Sequence, residues 1–345
     1  MTTTGTGRPW TVGPLSVRLH LRPALVAAAL VGVLAAVGTV TLMTGDFPLT
    51  GREVWATLLG AGDGGSEFVV LTLRLPRLLT GVLVGAALGV SGALLQGMAR
   101  NPLASPDIIG FTSGAASGAI VGFVLGACSI VMVGVGALAG GCVTALAVYA
   151  MAYRHGHTGA RLILVGIGVT AALTSLNTFL ISQAPLHDAI AVQSWLVGGL
   201  NNRGWEHVRP VGLALAVLVP IGLAVGRRLT VLEFGDAAAG ALGVPAERSR
   251  RILLAIAVAL AAVATASAGP VAFVALAAPQ VARRLAGQSR PALVTAGLTG
   301  ALLLATSDLL TQRLFAPTPL PVGIVTAGLG GGYLIWLLAA SWRRA

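Results

Sequence analysis

One long stretch of the sequence carries no charge: no Asp, Glu, Lys or Arg lies between Asp107 and Arg154. The hydrocarbon core of a bilayer is about 30 Å thick, so a helix that crosses it needs about 20 mostly apolar residues. The stretch is therefore long enough to cross a membrane twice, with a turn near residues 126–129. Helices satisfy their own backbone hydrogen bonds in lipid, so the chain is predicted to be an all-α integral membrane protein.

The composition agrees with this prediction and excludes several functions. The chain is 56% hydrophobic and 10% charged, whereas a soluble domain has about 25% charged residues. Its net charge of +11 could suggest a nucleic-acid partner, but the arginines are scattered between apolar runs and form no basic stripe. All 22 basic residues are arginine, and a Walker A phosphate loop needs a lysine. The chain is therefore not expected to bind ATP in the usual way.

The sequence offers no candidate catalytic or metal-binding residues. Cys128 and Cys142 both lie in apolar sequence and are interpreted as small core residues. His155 and His157 form the only close histidine pair, with no carboxylate or cysteine nearby to complete a metal site. No cofactor, no metal and no covalent chemistry are expected.

Apolar runs of sufficient length predict ten transmembrane helices, near residues 24–44, 78–98, 108–126, 130–150, 162–182, 208–226, 252–268, 271–286, 291–310 and 321–342. The pair Gly269-Pro270 separates the seventh from the eighth, because proline after glycine is a poor continuation of a helix. An even number of crossings places both termini on one side. Most of the arginines fall on that side, so both termini are predicted to be cytoplasmic.

Three further segments are interpreted from their composition. Residues 1–22 are predicted to be a disordered cytoplasmic tail, and residues 23–345 a single transmembrane domain. The apolar piece Ala189 to Leu200 is too short to span and is expected to be a surface or re-entrant helix on the outer side. Glycines recur every fourth residue from Gly110 to Gly126, a pattern that favours close helix packing in lipid.

Two cytoplasmic connections have distinctive sequences. In residues 100–107, Ser105 can cap the next helix, with Pro106 at its first position and Asp107 at its positive end. In residues 230–251, Asp236 can cap a short helix that runs through Leu242, and Gly243 can end it in the left-handed conformation. That second connection displays apolar residues and predicts a partner surface; the alternative is a helical loop lying on the membrane.

Three arginines lie at the predicted outer face: Arg74, Arg77 and Arg313. They are either interfacial anchors that reach the headgroups or a basic rim that binds the carboxylates of an acidic partner. The sequence leaves both readings open.

Six ordered motifs resemble the iron-siderophore and cobalamin ABC transporter permease family of the FecCD type. They are RLPR at 74–77, VGAALGVSGALLQ at 84–96, NPLASPD at 101–107, GD at 235–236 with ALG at 241–243, AGP at 268–270 with Phe273, and LPVGIVT at 320–326. Within that family, residues 105–111 and 246–250 look most like the second permease subunit of ferric enterobactin importers. The resemblance runs in register from about residue 70 to the C-terminus.

The resemblance implies a type II ABC importer permease fold in a bacterial plasma membrane. It also implies three protein partners: a second permease subunit, two ATPase subunits that hydrolyse ATP, and an extracytoplasmic binding protein. A heterodimer with a different permease is favoured over a homodimer. The implied substrate is a ferric siderophore, with a catecholate favoured. By this resemblance Arg74, Arg77 and Arg313 dock the binding protein. The cytoplasmic coupling helices at about 230–250 include Glu233, Gly235, Asp236, Ala239, Leu242 and Gly243, and the cytoplasmic gate includes Thr158, Gly159 and Ala160.

The sequence departs from the family pattern at two positions, and three other functions are alternatives to this interpretation. Gln280 stands where the family usually has histidine, and Pro319 where glutamate is common. A secondary transporter would usually keep ionisable groups inside the membrane, yet Asp107, Asp188 and Asp308 fall near predicted span ends. A membrane enzyme would need nucleophile and base motifs. A haem or cobalamin permease of the same family is the third alternative.

Overall fold

The computed structural model describes residues 10–12, 15–17, 21–124, 130–153, 159–232, 234–287, 292–314 and 320–342. Its helices are α1 Leu21–Met43, α2 Gly51–Leu58, α3 Gly64–Glu67, a π-helical segment Phe68–Arg74, α4 Leu75–Ala99, α5 Phe111–Val124, α6 Ile130–Tyr153, α7 Gly159–Gln183, α8 Leu186–Leu196, α9 Trp205–Leu232, α10 Asp236–Ala241, α11 Ala246–Ala268, α12 Val274–Ala286, α13 Leu293–Leu314 and α14 Val322–Trp342. Two short strands, β1 Trp10–Val12 and β2 Leu15–Val17, pair antiparallel.

The helix positions agree with the apolar runs of the sequence. A helix overlaps each of the ten predicted spans. Seven of these helical stretches are long and apolar enough to cross a membrane by themselves, while α5 and α14 have shorter apolar segments and α12 has 13 residues. The number of ten crossings therefore stays a prediction. The β1–β2 ladder departs from the disordered tail predicted for residues 1–22.

Helix α4 forms the centre of the bundle and packs against α9, α11, α12 and α13. Close approach is achieved through glycines on α4. A methyl group added to Gly85 would meet the backbone of Gly300 on α13, and one added to Gly92 would meet the Ala275 carbonyl on α12. Helices in lipid associate through such small-residue contacts, since lipid is as apolar as the side chains and no hydrophobic force drives the helices together.

Helices α5 and α6 form a second close pair, as the four-residue glycine spacing predicts. Gly118 on α5 faces Gly136 on α6, and a methyl group on either would meet the carbonyl oxygen of the other. Gly114 lies against Gly140 in the same way. The prediction of a packing face is confirmed for these glycines, while Gly126 lies outside the described residues.

The bundle has two ends, named here by residues that lie at them. Arg77, near the start of α4, and Arg203, just before α9, line one cavity and mark the Arg77 end. Helix α9 then runs to α10, which marks the α10 end. Arg22 near the start of α1 donates from Nε to the Leu285 carbonyl at the end of α12, 3.3 Å away. The Arg284 guanidinium of α12 lies 4.9 Å from the ring centre of Trp336 on α14. The beginning of α1 and the later part of α14 thus lie at the same end.

Candidate functional site

A large groove runs along the face formed by α5, α7, α8 and α14. Its volume is about 1070 Å³. Residues from α8 and the start of α14 line it towards the Arg77 end, and residues 103–108 line it towards the α10 end. A groove of this size can accommodate a ligand as large as a drug molecule or larger.

The groove wall is mostly neutral. Hydroxyl and amide groups come from α5, α7, α8 and the turn before α5: Ser105, Thr112, Ser113, Thr170, Thr174, Asn177, Thr178 and Gln193. Among the described lining residues Asp107 is the charged one and Phe273 the aromatic one. The wall can therefore contact a ligand by hydrogen bonds and apolar surface, with no described cation to hold an anion in place.

Asn177 joins α5 to α7 beneath the groove surface. Its side chain is buried; Ser117 Oγ donates to Asn177 Oδ1 at 2.7 Å, and Asn177 Nδ2 donates to the Ser113 carbonyl at 3.2 Å. A buried amide that makes both kinds of hydrogen bond avoids the cost of an unpaired polar group. These bonds fix the two polar walls of the groove relative to one another.

The turn before α5 is held from α12. Gln280 Nε2 donates to the Pro102 carbonyl at 2.8 Å, Gln96 Nε2 donates to the Leu276 carbonyl at 3.0 Å, and Arg283 Nη2 donates to Gln96 Oε1 at 3.0 Å. Gln280, which replaces the histidine usual in the resembled family, thus has a structural role here as an anchor of this turn.

The helix start predicted at Ser105 is wrong in detail. Ser105 Oγ accepts from the Ile108 N–H at 3.4 Å, so Ser105 caps a turn. Helix α5 itself begins at Phe111, after Gly110 adopts φ +86. A left-handed residue interrupts the helical backbone, which separates the capped turn from α5.

The three arginines predicted to dock a partner lie together at the Arg77 end. Arg74 and Arg77 line a cavity of about 740 Å³, and Arg313 Nη2 donates to Thr44 Oγ1, which belongs to the same lining, at 3.1 Å. The cavity also contains Arg203, Asp46 and Glu206. The four arginines Arg74, Arg77, Arg203 and Arg313 are called the arginine cluster below.

Two nitrogens of the Arg74 side chain already donate hydrogen bonds to the end of α1 and the segment after it. Its Nη1 donates to the Leu42 carbonyl at 2.8 Å and its Nη2 to the Phe47 carbonyl at 2.5 Å. The last carbonyls of a helix have no intrahelical donor, and a cation near them is favourable. Gly45 lets the guanidinium pass, since a methyl group there would lie 2.7 Å from Arg74 Nη2.

Arg77 forms a two-pronged ion pair with Asp308 of α13. Arg77 Nη2 lies 2.7 Å from Asp308 Oδ1, and Arg77 Nε lies 3.0 Å from Asp308 Oδ2. Gln312 Nε2 also donates to Oδ2 at 2.7 Å, and Asp308 is 3% exposed. The sequence reasoning missed this partner, although an isolated carboxylate in an apolar run indicates one.

Arg203 is a fourth cation of the arginine cluster, and the sequence analysis did not predict it as a docking residue. Its Nε donates to the Gly199 carbonyl at 3.2 Å, and its Nη1 lies 3.1 Å from His207 Nε2. Burial lowers the pKa of Arg203 from its ordinary value, and Glu206 opposes that shift. Arginine cannot be deprotonated in proteins, so the guanidinium stays charged despite this lowering of its pKa.

At the α10 end, the predicted coupling residues form a short helix with apolar exposure. Gly235 precedes α10 with φ +103, and Gly243 follows it with φ +72. Ala239 is fully buried against the bundle, whereas Phe234 is 73% and Leu242 67% exposed. The predicted short helix is present as α10, but it ends at Ala241, and Gly235 rather than Asp236 is at its N-cap position, so the predicted capping role of Asp236 is wrong. Glu233 lies outside the described residues.

The predicted cytoplasmic gate falls at the start of α7. Gly159 and Ala160 are its first two residues, and Thr158 lies outside the described residues. Helix α10 and the first residues of α7 lie at the same end of the bundle, since α6 and α9 both run towards it.

The fold and the groove define a membrane transport subunit of the ABC importer type, and the chain belongs to the FecCD transport family, which it matches over residues 30–340. Its relatives are permease subunits, so the chain is a transport protein and not an enzyme. The ferric enterobactin transport system permease protein FepG of Escherichia coli is 43% identical over 91% of this chain and 96% of its own length. The probable siderophore permease YfhA of Bacillus subtilis is 35% identical over 91% and 94%. The cobalamin permease BtuC of Halobacterium salinarum is 36% identical over 95% and 90%.

The same fold occurs in a solved chain described as an inward-facing metal-chelate-type ABC transporter. That chain matches with a TM-score of 0.83 and 26% identity, over 92% of this chain and 99% of its own. The fold-class prediction is thus confirmed at the level of an all-helical ABC importer permease.

Proposed function

We propose that this chain is the permease subunit of a bacterial ABC importer that carries a ferric siderophore of the catecholate class across the plasma membrane. The observation that carries the proposal is 43% identity to a ferric enterobactin permease over 91% of the chain. The groove supports it, because its volume of about 1070 Å³ suits a large chelate and its wall is weakly charged. A transport wall must bind weakly enough to let its cargo leave.

The groove is half of the proposed pathway. It opens on one side of the chain, where residues such as Thr174 and Thr178 are exposed. A second permease subunit, different from this chain, would close it. In this arrangement the chain crosses the membrane ten times with both termini in the cytoplasm, and residues 23–345 form one permease domain.

The arginine cluster is the proposed docking site of the extracytoplasmic binding protein. Arg74, Arg77 and Arg313 would donate charge-assisted hydrogen bonds to its glutamates. A guanidinium has five donors, and the contacts above use two nitrogens each of Arg74 and Arg77. Both side chains therefore retain donors for a partner carboxylate.

Helix α10 is the proposed contact with the ATPase subunits. Phe234 and Leu242 expose apolar surface there, and a methyl group at Gly235 or Gly243 would have no described atom within 4 Å. The free space around both glycines suits a partner cleft. ATP binding and hydrolysis would move α10 and, with the gate residues 158–160, open the pathway one way at a time.

The experiment is uptake of radiolabelled ferric catecholate, ferric hydroxamate and cobalamin in cells that lack only this chain. Selective loss of ferric catecholate uptake, restored by a plasmid copy, is expected. Selective loss of cobalamin uptake would instead support the cargo named for the halobacterial relative. Loss of no cargo would overturn the assignment. A plasmid copy with Arg74→Glu and Arg77→Glu tests docking of the binding protein in the same cells. Unaltered docking at low salt would show that both arginines are interfacial anchors.

A further inference from the structure

Helices α6 and α11 are joined by a side-chain hydrogen bond near the α10 end of the bundle. Tyr149, one turn before the end of α6, donates from its hydroxyl to Glu247 Oε1 in the first turn of α11, 2.5 Å away. The two residues are 98 positions apart in the chain. A hydrogen bond to a carboxylate is about twice as strong as one between neutral groups. The two helix ends are therefore held together by more than apolar packing.

The surroundings of Glu247 separate this bond from its other contacts. The Glu247 side chain is 30% exposed, and Tyr149 packs against the main buried cluster of the bundle. A carboxylate in the first turn also favours the start of α11 through the helix dipole. Arg251 Nε lies 3.6 Å from Glu247 Oε1, but Arg251 belongs to the same helix. Of these contacts, the one with the Tyr149 hydroxyl reaches another helix.

On the α11 side, the bond lies close to the proposed coupling helix. A short link joins α10 to α11. The Val244 N–H donates to the Ala239 carbonyl of α10 at 2.8 Å, and the Ser249 N–H of α11 donates to the Pro245 carbonyl at 3.0 Å. Proline fixes its own φ, so this link has little freedom to absorb a movement. A displacement of α10 by an ATPase subunit should therefore move the start of α11.

On the α6 side, the bond lies close to the proposed gate. Helix α6 ends at Tyr153, and the chain then continues to the gate residues 158–160 at the start of α7. Helix α6 packs against α7, and Val148 and Ala152 of α6 belong to the same buried cluster as Leu162 of α7. The end of α6 thus precedes the gate in the chain, and α6 contacts the helix that carries it.

We propose that Tyr149 and Glu247 are positioning residues that transmit the movement of α10 to the cytoplasmic gate. This inference rests on the proposed function, in which α10 contacts the ATPase subunits and residues 158–160 form the gate. Packed helices can slide past one another by small shear movements, and a directional hydrogen bond between their ends opposes such sliding. Neither residue is among the described lining of the large groove, so both would act on transport without touching the chelate.

The test measures ferric catecholate uptake and ATP hydrolysis together, in proteoliposomes that contain the complete transporter with saturating binding protein. Tyr149→Phe removes the hydroxyl and keeps the ring. It should lower the amount of chelate imported per ATP hydrolysed about fivefold or more, the lower range of coupling between two sites. Glu247→Ala should do the same, and the double variant should be no worse than either, since both changes remove one interaction. Glu247→Gln keeps an acceptor oxygen and should retain most of the wild-type ratio.

Trp205→Phe is the matched control. Trp205 Nε1 donates to the Leu71 carbonyl at 3.1 Å, so this change also deletes a donor from an aromatic side chain that joins two elements, but at the Arg77 end. It should leave the ratio of uptake to ATP hydrolysis unchanged. Co-purification of the ATPase subunits should be unchanged in Tyr149→Phe, because Tyr149 does not belong to α10.

A wild-type ratio in Tyr149→Phe would overturn the inference. Equal losses of uptake and ATP hydrolysis would also overturn it, because they indicate a merely structural role. Additive losses in the double variant, or a Glu247→Gln variant as defective as Glu247→Ala, would show that Glu247 acts as a charge at the helix start instead. Should Glu247→Ala fail to accumulate in the membrane, Tyr149→Phe decides alone, since it preserves the packing of the ring.

The assay also separates this inference from the proposed function. If the wild-type transporter imports ferric hydroxamate or cobalamin in place of ferric catecholate, the catecholate assignment fails, and the ratio measured with that cargo still decides the role of the pair. Import of none of the three by the wild-type transporter would overturn both.

Discussion

At the residue scale, Arg77 has one structural role and one proposed docking role, and a single substitution would affect both. Its two-pronged pair with buried Asp308 joins α4 to α13, and its position in the arginine cluster suits a docking residue. Removing one partner from a buried ion pair leaves an uncompensated charge, whereas replacing both with apolar residues is often neutral. The two roles can therefore be separated by comparing a single variant with a double variant.

Asp308→Ala is expected to destabilise the chain by about 3–5 kcal/mol, the usual cost of breaking a buried pair. Arg77→Met combined with Asp308→Leu is expected to recover most of that loss. Thermal unfolding of the purified transporter in detergent measures both. The double variant should nevertheless bind the binding protein more weakly; docking at wild-type strength would show that Arg77 serves α4–α13 packing alone.

At the scale of the elements, the α5–α6 contact depends on glycines whose spacing the sequence displays. Gly118→Val should destabilise the chain by about 1–3 kcal/mol or more, the usual cost of overpacking, because the new side chain would meet the Gly136 carbonyl. Gly168→Val on α7 is the matched control, since no atom of the described residues lies within 4 Å of a methyl group there. Equal effects of both changes on the thermal unfolding of the purified transporter would argue against a specific packing role.

Helix α10 gives a prediction about coupling. Leu242→Asp places a charge on an exposed apolar residue, and it should reduce co-purification of the ATPase subunits at least several-fold, because burying an unpaired charge at an interface is costly. Leu59→Asp is the control, since Leu59 is 81% exposed and follows α2 on the way to Arg74, far along the chain from α10. If Leu242→Asp leaves both ATPase association and uptake unchanged, the coupling assignment is wrong.

Sequence patterns predicted the helices well but not the contacts that bring distant residues together. Apolar runs located the long helices, and Gly269-Pro270 marked the break between α11 and α12, because both signals are local. Arg77 and Asp308 are 231 positions apart, and no local pattern pairs them. Nothing in the local sequence indicates that Phe273 has a left-handed backbone, or that it lies against Gly330 on α14.

At the scale of the whole molecule, the groove is incomplete in a single chain. Its polar residues on α7 are exposed beside apolar ones, such as Phe179 at 59% and Leu176 at 47%. A contiguous apolar surface rimmed by polar groups is typical of an interaction face. The alternative is that Phe179 and Leu176 face lipid. Measuring the accessibility of these residues within the assembled transporter distinguishes a subunit interface from a lipid-facing surface.

The final prediction concerns which chain covers the groove. In a variant with Cys128→Ser and Cys142→Ser, Thr174→Cys should react readily with a water-soluble maleimide in the isolated chain and at least several-fold more slowly in the complete transporter, because a second permease would enclose it. Leu213→Cys on α9 is the control; Leu213 is 69% exposed and does not line the groove, so assembly should not alter its labelling. Photocrosslinking from a benzophenone maleimide attached to Thr174→Cys, which needs no cysteine on the neighbour, followed by mass spectrometry, identifies the neighbour. A different permease sequence in the crosslinked product would support a heterodimer, two copies of this chain would refute it, and unchanged labelling of Thr174→Cys on assembly would show that the groove is not the subunit interface.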